Sequence, residues 1–189
     1  MMELELAEME FYQEPSGEII VKQKDGEIFI LTQSRRDFIV PMKILLQSDY
    51  LQAYTACEEL NASSKMNHLY HDFLNVRQFI KCNFGPYDNI LDIDASGTLN
   101  FEFISCPLRG TCKYNGIICN PKFTTKLTDS DMTIIRMIVM QHMTADQIAL
   151  HLCRSVNTIN NRRKIILKKT ACKTIAELVA YCYEHNLIK

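Results

Sequence analysis

Apolar residues along this chain follow two rhythms. Residues 18–31, EIIVKQKDGEIFIL, set two β-branched runs on either side of Lys24-Asp25-Gly26-Glu27, which predicts a hairpin with an Asp-Gly turn. From about residue 49 to residue 80 the spacing lengthens to that of a helix. Leu51 and Tyr54, then Leu69, Phe73, Val76 and Ile80, recur on one face, and Asn61-Ala62-Ser63-Ser64 divides the run into two helices. Residues 90–93 and 99–103 flank Asp94-Ala95-Ser96-Gly97-Thr98 and predict a second short hairpin. A loop rich in turn formers and cysteine follows, from Cys106 to Cys119.

Beyond Pro121 the helical rhythm is more regular. Thr128 or Ser130 can cap a first helix that carries Ile134, Ile135, Ile138 and Val139 inward. Thr144 can cap a second helix over residues 145–152, with Ile148, Ala149 and Leu152 facing the core. Cys153-Arg154 makes a turn, and Ser155 can cap a third helix from Val156 to about Lys169, apolar along Ile159, Ile166 and Leu167. A short helix, a tight turn and a helix with a polar outer face is the pattern of a helix-turn-helix.

Charge sharpens this division. Residues 1–121 hold 10 Lys and Arg against 17 Asp and Glu, a net of −7, whereas residues 122–189 hold 11 against 5, a net of +6. A basic module after an acidic one points to a polyanionic partner for the second, because Lys and Arg neutralise phosphates and release condensed counterions. From Arg154 to Lys173 there are seven basic residues and no acidic one, which suits a phosphate-lined groove. The outer face of the third helix adds Asn157, Asn160, Asn161 and Lys164, side chains of the kind that read base edges in a major groove.

Residues 127–189 resemble the LuxR/GerE DNA-binding domain from end to end. The resemblance rests on Leu127-Thr128, Gln147-Ile148-Ala149-x-x-Leu152, Ser155-x-x-Thr158-Ile159, Asn161-x-Arg163-Lys164-Ile165-x-x-Lys168, Glu177-Leu178-Val179 and Asn186-Leu187-Ile188. It implies a four-helix module in which Asn160, Asn161 and Lys164 reach bases. Ser155, Thr158 and nearby cations such as Arg162, Arg163 and Lys168 would hold phosphates. A fourth helix, about residues 175–185, would form a homodimer surface using some of Glu177, Ala180, Tyr181 and Glu184. The sequence departs from the family at Asp131, usually Glu, at His142, usually Gly, and at Thr170-Ala171, usually Leu-Gly.

The expected fold is therefore α+β and mainly α. A mixed α/β-hairpin domain with a Cys-rich loop at residues 106–119 spans residues 1–121, and a four-helix LuxR-type helix-turn-helix domain spans residues 122–189. No internal repeat, low-complexity tract or long Gly/Ser linker separates them.

Eight cysteines raise a separate question. The acidic N-terminus lacks the basic start and apolar run of a signal peptide, and no stretch approaches the roughly 18 apolar residues of a membrane span, so a cytoplasmic protein with reduced thiols is expected. Cys106-x5-Cys112-x6-Cys119 supplies three thiolates, and Cys82 supplies a fourth, enough for a tetrahedral zinc site. Gly110, Gly116 and Pro107 suit a loop wrapped around a metal, and such features recur in iron-sulfur loops, the alternative cofactor. His68 and His71, three apart on a helix, are a rival source of the fourth ligand. Cys57, Cys153, Cys172 and Cys182 sit singly in apolar patterns and read as small buried hydrophobes.

The functional expectation is a transcriptional regulator, not an enzyme, that binds double-stranded DNA as a homodimer and contacts RNA polymerase as a further partner. Its acidic part would bind metal, sense a signal or assemble the protein, with thiolates near the boundary coupling redox state or metal to DNA affinity. A sigma-like factor is the nearer rival. An enzyme using Cys82 with His68 or His71 is the rival from another class. The acidic pair, strand-borne Asp and late Lys of a phosphoacceptor receiver domain are missing from residues 1–121.

Overall fold

The computed structural model describes residues 5–88 and 90–188. The chain divides into two compact units, Met1–Lys122 and Phe123–Lys189. Among the described residues no helix is long and apolar enough to cross a membrane.

The first unit opens with an antiparallel sheet of three strands, β1 (Glu10–Gln13), β2 (Ile19–Lys22) and β3 (Ile28–Ile30), in that spatial order. The β2–β3 pair is the hairpin expected around Asp25-Gly26. Gly26 takes φ 85°, where a Cβ is penalised, and donates its N–H to Gln23 O at 2.9 Å. β1 carried no predicted element. Its register places Phe11 beside Val21, and Val21 beside Phe29, so one cross-strand row is buried.

Helices α1 (Arg36–Asp49), α2 (Leu51–Leu60) and α3 (His68–Asn83) follow, with a 3-10 turn at Ala62–Ser64 where the sequence predicts a break. α1 was not predicted and holds Pro41 inside it, yet Phe38, Ile39, Met42 and Leu46 form a buried stripe at helical spacing. An aromatic core joins the sheet to these helices: ring centroids lie 5.8 Å apart for Phe11 and Phe38, 5.2 Å for Phe11 and Phe84, and 6.5 Å for Phe79 and Phe84. Asp72 on α3 pins α1 by accepting from Arg36 at 2.9 Å and Lys43 at 2.7 Å. Burial works to raise that carboxyl, but the two cations outweigh it and hold it below the usual carboxylate range.

The second predicted hairpin shrinks to isolated bridges. Ile93 pairs with Leu99 and with Met9, and no strand forms over residues 99–103. The physical reason is competition for the backbone. The Asp94 carboxylate accepts the N–H groups of Ser96 and Thr98, closing a tight turn at Gly97, while the Glu102 N–H goes to Asn83 O at 2.9 Å and not to a partner strand.

The second unit is four helices, α4 (Asp129–Val139), α5 (Ala145–His151), α6 (Val156–Lys169) and α7 (Ile175–Glu184), around Ile135, Ile148, Ile159, Ile166, Leu178 and Cys182. Each begins on a hydroxyl cap: Thr128, Thr144, Ser155 and Thr174. Among the described residues the architecture is thus α+β and mainly helical, a three-stranded antiparallel sheet followed by seven α-helices.

Candidate nucleic-acid interface

The turn between α5 and α6 fixes how α6 is presented. The Arg154 N–H reaches Ala149 O at 2.8 Å and the Cys153 N–H reaches Leu150 O at 3.2 Å, the paired bonds of a Schellman turn, with Cys153 left-handed at φ 51°. Ser155 then starts α6 by accepting the Thr158 N–H at 3.1 Å. α6 buries Ile159 and Ile166, and Leu167 is half-buried. Ser155, Asn157, Thr158, Asn160, Asn161, Lys164 and Lys168 are all exposed, whereas Arg162 and Arg163 are half-buried. The base-reading candidates Asn157, Asn160, Asn161 and Lys164 fall within two turns of one helix, away from its apolar stripe.

Arg162, expected among the phosphate contacts, and Lys169, one of the seven basic residues between Arg154 and Lys173, have another occupation. Lys169 Nζ lies 2.5 Å from Asp131 Oδ2, and Arg162 Nε lies 3.6 Å from Asp131 Oδ1. Asp131 belongs to the first turn of α4 and is fully buried. Its Oδ2 also accepts the Thr128 N–H at 3.0 Å, while Thr128 Oγ1 accepts the Asp131 N–H at 3.2 Å. One carboxylate therefore closes the cap of α4 and holds the last turn of α6. Burial alone would raise this carboxyl; the Lys169 and Thr128 bonds outweigh it and keep it lowered. In sequence Asp131 is only an acidic residue in a first helical turn, and its partner lies 38 positions away.

A groove of about 630 Å³ runs beside α6, and Ser130, Thr133, Arg154, Thr158, Asn161 and Arg162 supply its polar lining. On α7, Glu177, Ala180 and Glu184 are exposed, and Tyr181 is half-buried with its ring 6.4 Å from Phe123 and 4.3 Å from His185.

The two departures from glycine fall where the backbone is left-handed. His142 has φ 54° and Ala171 has φ 56°, a region that costs an L-residue roughly 1 kcal/mol relative to glycine. We expect Ala171→Gly to stabilise the unit by about 1 kcal/mol, measured by thermal denaturation, despite the greater freedom glycine gives the unfolded chain. A destabilised variant would mean that residue 171 is not held in that conformation.

In the first unit, the metal candidates Cys82, Cys106, Cys112 and Cys119 are all half-buried. Cys82 accepts from Gln78 Nε2 at 3.1 Å, and Cys112 Sγ accepts the Tyr114 N–H at 3.4 Å. His68 is exposed, while His71 is buried and bonded through Nδ1 to Ser64 Oγ at 2.8 Å, so the two histidines do not act as a pair. Among the described residues no group of three or more His, Cys, Asp or Glu side chains already stands at metal-holding spacing. An acidic cluster that the sequence did not flag surrounds Asp92, whose Oδ2 accepts the Phe11 N–H at 2.6 Å. Burial pushes the Asp92 carboxyl up to about 8, and the charges of Glu10, Glu102 and Asp88 add to the rise.

Comparison with protein-family models, with curated proteins and with solved structures finds no match to this chain.

Proposed function

We propose that this protein is a sequence-specific DNA-binding transcriptional regulator. Its second unit would be a LuxR/GerE-type helix-turn-helix, and α6 would lie in the major groove. The observation that carries the reading is the capped helix-turn-helix formed by α5 and α6, with Asn157, Asn160, Asn161 and Lys164 exposed on α6 opposite Ile159 and Ile166. The net charge of +6 over residues 122–189 and the left-handed backbone at His142 and Ala171 support it from independent directions. In this reading Asn160, Asn161 and Lys164 contact base edges; Ser155, Thr158, Arg163 and Lys168 contact phosphates. Arg162 helps hold α6 on α4 and lines the flanking groove. The exposed side of α7 joins two copies across a two-fold axis, giving a palindromic or repeated site. The acidic first unit receives a signal or contacts the transcription machinery.

The test is selection of preferred duplexes from a randomised pool, followed by anisotropy titrations. Lys164→Ala and Asn160→Ala are each expected to cost on the order of 1–3 kcal/mol, roughly five- to 150-fold in affinity, and to relax the preference at one position. Lys168→Ala is expected to weaken all duplexes alike and to reduce the salt slope by about 1. Unchanged affinity and preference in the first two variants would remove α6 as the reading element.

A further inference from the structure

The three-stranded sheet ends differently on its two sides. Along the outer side of β1 the alternate peptide groups are taken: Met9 and Ile93 exchange N–H bonds at 3.0 Å, the Phe11 N–H goes to the Asp92 carboxylate at 2.6 Å, and the Gln13 N–H goes to Gly85 O at 3.3 Å. β3 forms the other edge. The Gln23 N–H reaches Glu27 O at 2.9 Å and the Leu31 N–H reaches Ile19 O at 2.8 Å, so Gln23–Glu27 and Ile19–Leu31 are hydrogen-bonded pairs. In an antiparallel ladder such pairs alternate with open ones. Phe29 therefore bonds Val21, while the N–H and C=O of Ile28 and Ile30 point away from β2. Among the described residues no strand or loop pairs with them.

This edge lacks the devices that commonly keep a sheet edge from pairing. Residues 28–30 include no Lys and no Pro. The Ile28 and Ile30 side chains are 56% and 45% exposed, on the face opposite buried Phe29. The strand is also held ready: Phe29 and Leu31 are buried, and the Arg35 guanidinium lies 3.5 Å from the Phe29 ring centroid. Charge runs in one direction along it, with Asp25 and Glu27 before β3 and Arg35 and Arg36 after it. A second strand of this kind laid parallel would set like charges side by side, whereas an antiparallel one sets acid beside base.

We propose that β3 pairs antiparallel with β3 of a second copy of this chain, across a two-fold axis at Phe29. Ile28 then meets Ile30 of the second copy, each such pair exchanges its main-chain bonds, and the sheet of three strands becomes one of six. The exposed isoleucines of both copies join in one apolar patch on its outer face. Symmetry and bonding fix the register. A slip of one residue opposes groups already turned toward β2. A slip of two sends Ile30 to Gly26, whose N–H is given to Gln23 O, or Ile28 to Thr32, whose C=O already accepts the Arg35 N–H. A joint this short buries little area and makes a dimer that dissociates on dilution.

The pairing depends neither on DNA binding nor on the α7 surface. Amide hydrogen exchange of the full-length chain is followed residue by residue by NMR over a dilution series, with sedimentation velocity on the same samples. The Ile28 and Ile30 amides, fast in the dilute chain, are expected to slow by about tenfold or more where the dimer dominates. Ile28→Lys with Ile30→Lys, both at exposed positions, should abolish that slowing at an unchanged denaturation midpoint. Ile30→Pro, which removes an outward N–H and leaves the β2 ladder intact, should weaken it as well. A dimer made through α7 alone would leave both amides fast at every concentration, overturning this proposal without touching the DNA-binding reading. Protection that does not vary with concentration, that appears only when another protein is added, or that survives in the double variant would overturn it equally.

Discussion

Replacement of Asp131 by alanine is expected to destabilise the second unit by about 3 kcal/mol, in the range found when one partner of a buried ion pair is removed. Three losses combine in it. The α4 cap loses the acceptor for the Thr128 N–H, Lys169 loses its anion, and Arg162 loses its nearest carboxylate. The estimate sits at the low end because Lys169 is a quarter exposed and can turn to water. The loss should appear as a lower denaturation midpoint, with weaker duplex binding as a consequence of a loosened α6. Asp131→Glu, which keeps the charge, should recover part of it, and a double-mutant cycle with Lys169→Ala should show coupling of at least about 1 kcal/mol. The pH dependence has a definite sign. Because the folded-state carboxyl is lowered, its stabilisation is present above the unfolded value of about 3.9 and is lost as pH falls through the folded value. Asp131→Asn should therefore flatten the acid limb of the stability curve. Additive single variants and an unchanged acid limb would show that Asp131 is not the pin described.

Asn83→Ala should damage the first unit to a similar extent, again about 3 kcal/mol. The side chain makes three hydrogen bonds, to Phe79 O at 2.9 Å, to Ile118 O at 2.8 Å and from the Asn120 N–H at 2.7 Å, and is fully buried. Truncation leaves the Ile118 carbonyl and the Asn120 N–H without partners, at about 1–3 kcal/mol for each buried group left unsatisfied. Water can reach half-buried Asn120 and recover some of this. The expected local signature is faster hydrogen exchange and earlier proteolysis over residues 103–120 than in the helices. Uniform destabilisation with no preference for that segment would contradict the fastening role.

These two residues show where sequence reading stops. In the second unit the helices announce themselves locally: a hydroxyl at each start, apolar residues three and four apart, and a turn at Cys153-Arg154. The exposed polar face of α6 follows directly from that periodicity. Asp131 and Asn83 do not, because each acts on partners more than 30 positions away, and a polar residue near a helix end looks the same whether it is solvated or buried. β1 escaped notice for a related reason. Glu10 interrupts its apolar pattern, yet it is buried with its carboxylate on the Asp88 N–H. α1 was hidden by Pro41, which breaks an isolated helix but is tolerated here by a helix fastened to α3 through Arg36 and Lys43. The second hairpin failed in the opposite direction: its turn formed, but the strand after it found Asn83 first.

Both ends of the 102–120 excursion are tied to one residue, and its tip reaches α2 through the exposed Lys113–Glu59 pair. Doubling the length of such a closed loop costs only about 0.6 kcal/mol in closure entropy. Chain inserted between Arg109 and Asn115, where the backbone makes only turns and most side chains face water, would lengthen the tip without touching the fastening. The protein thus offers a built-in attachment point for an epitope or a fluorophore, away from both α6 and α7 in sequence.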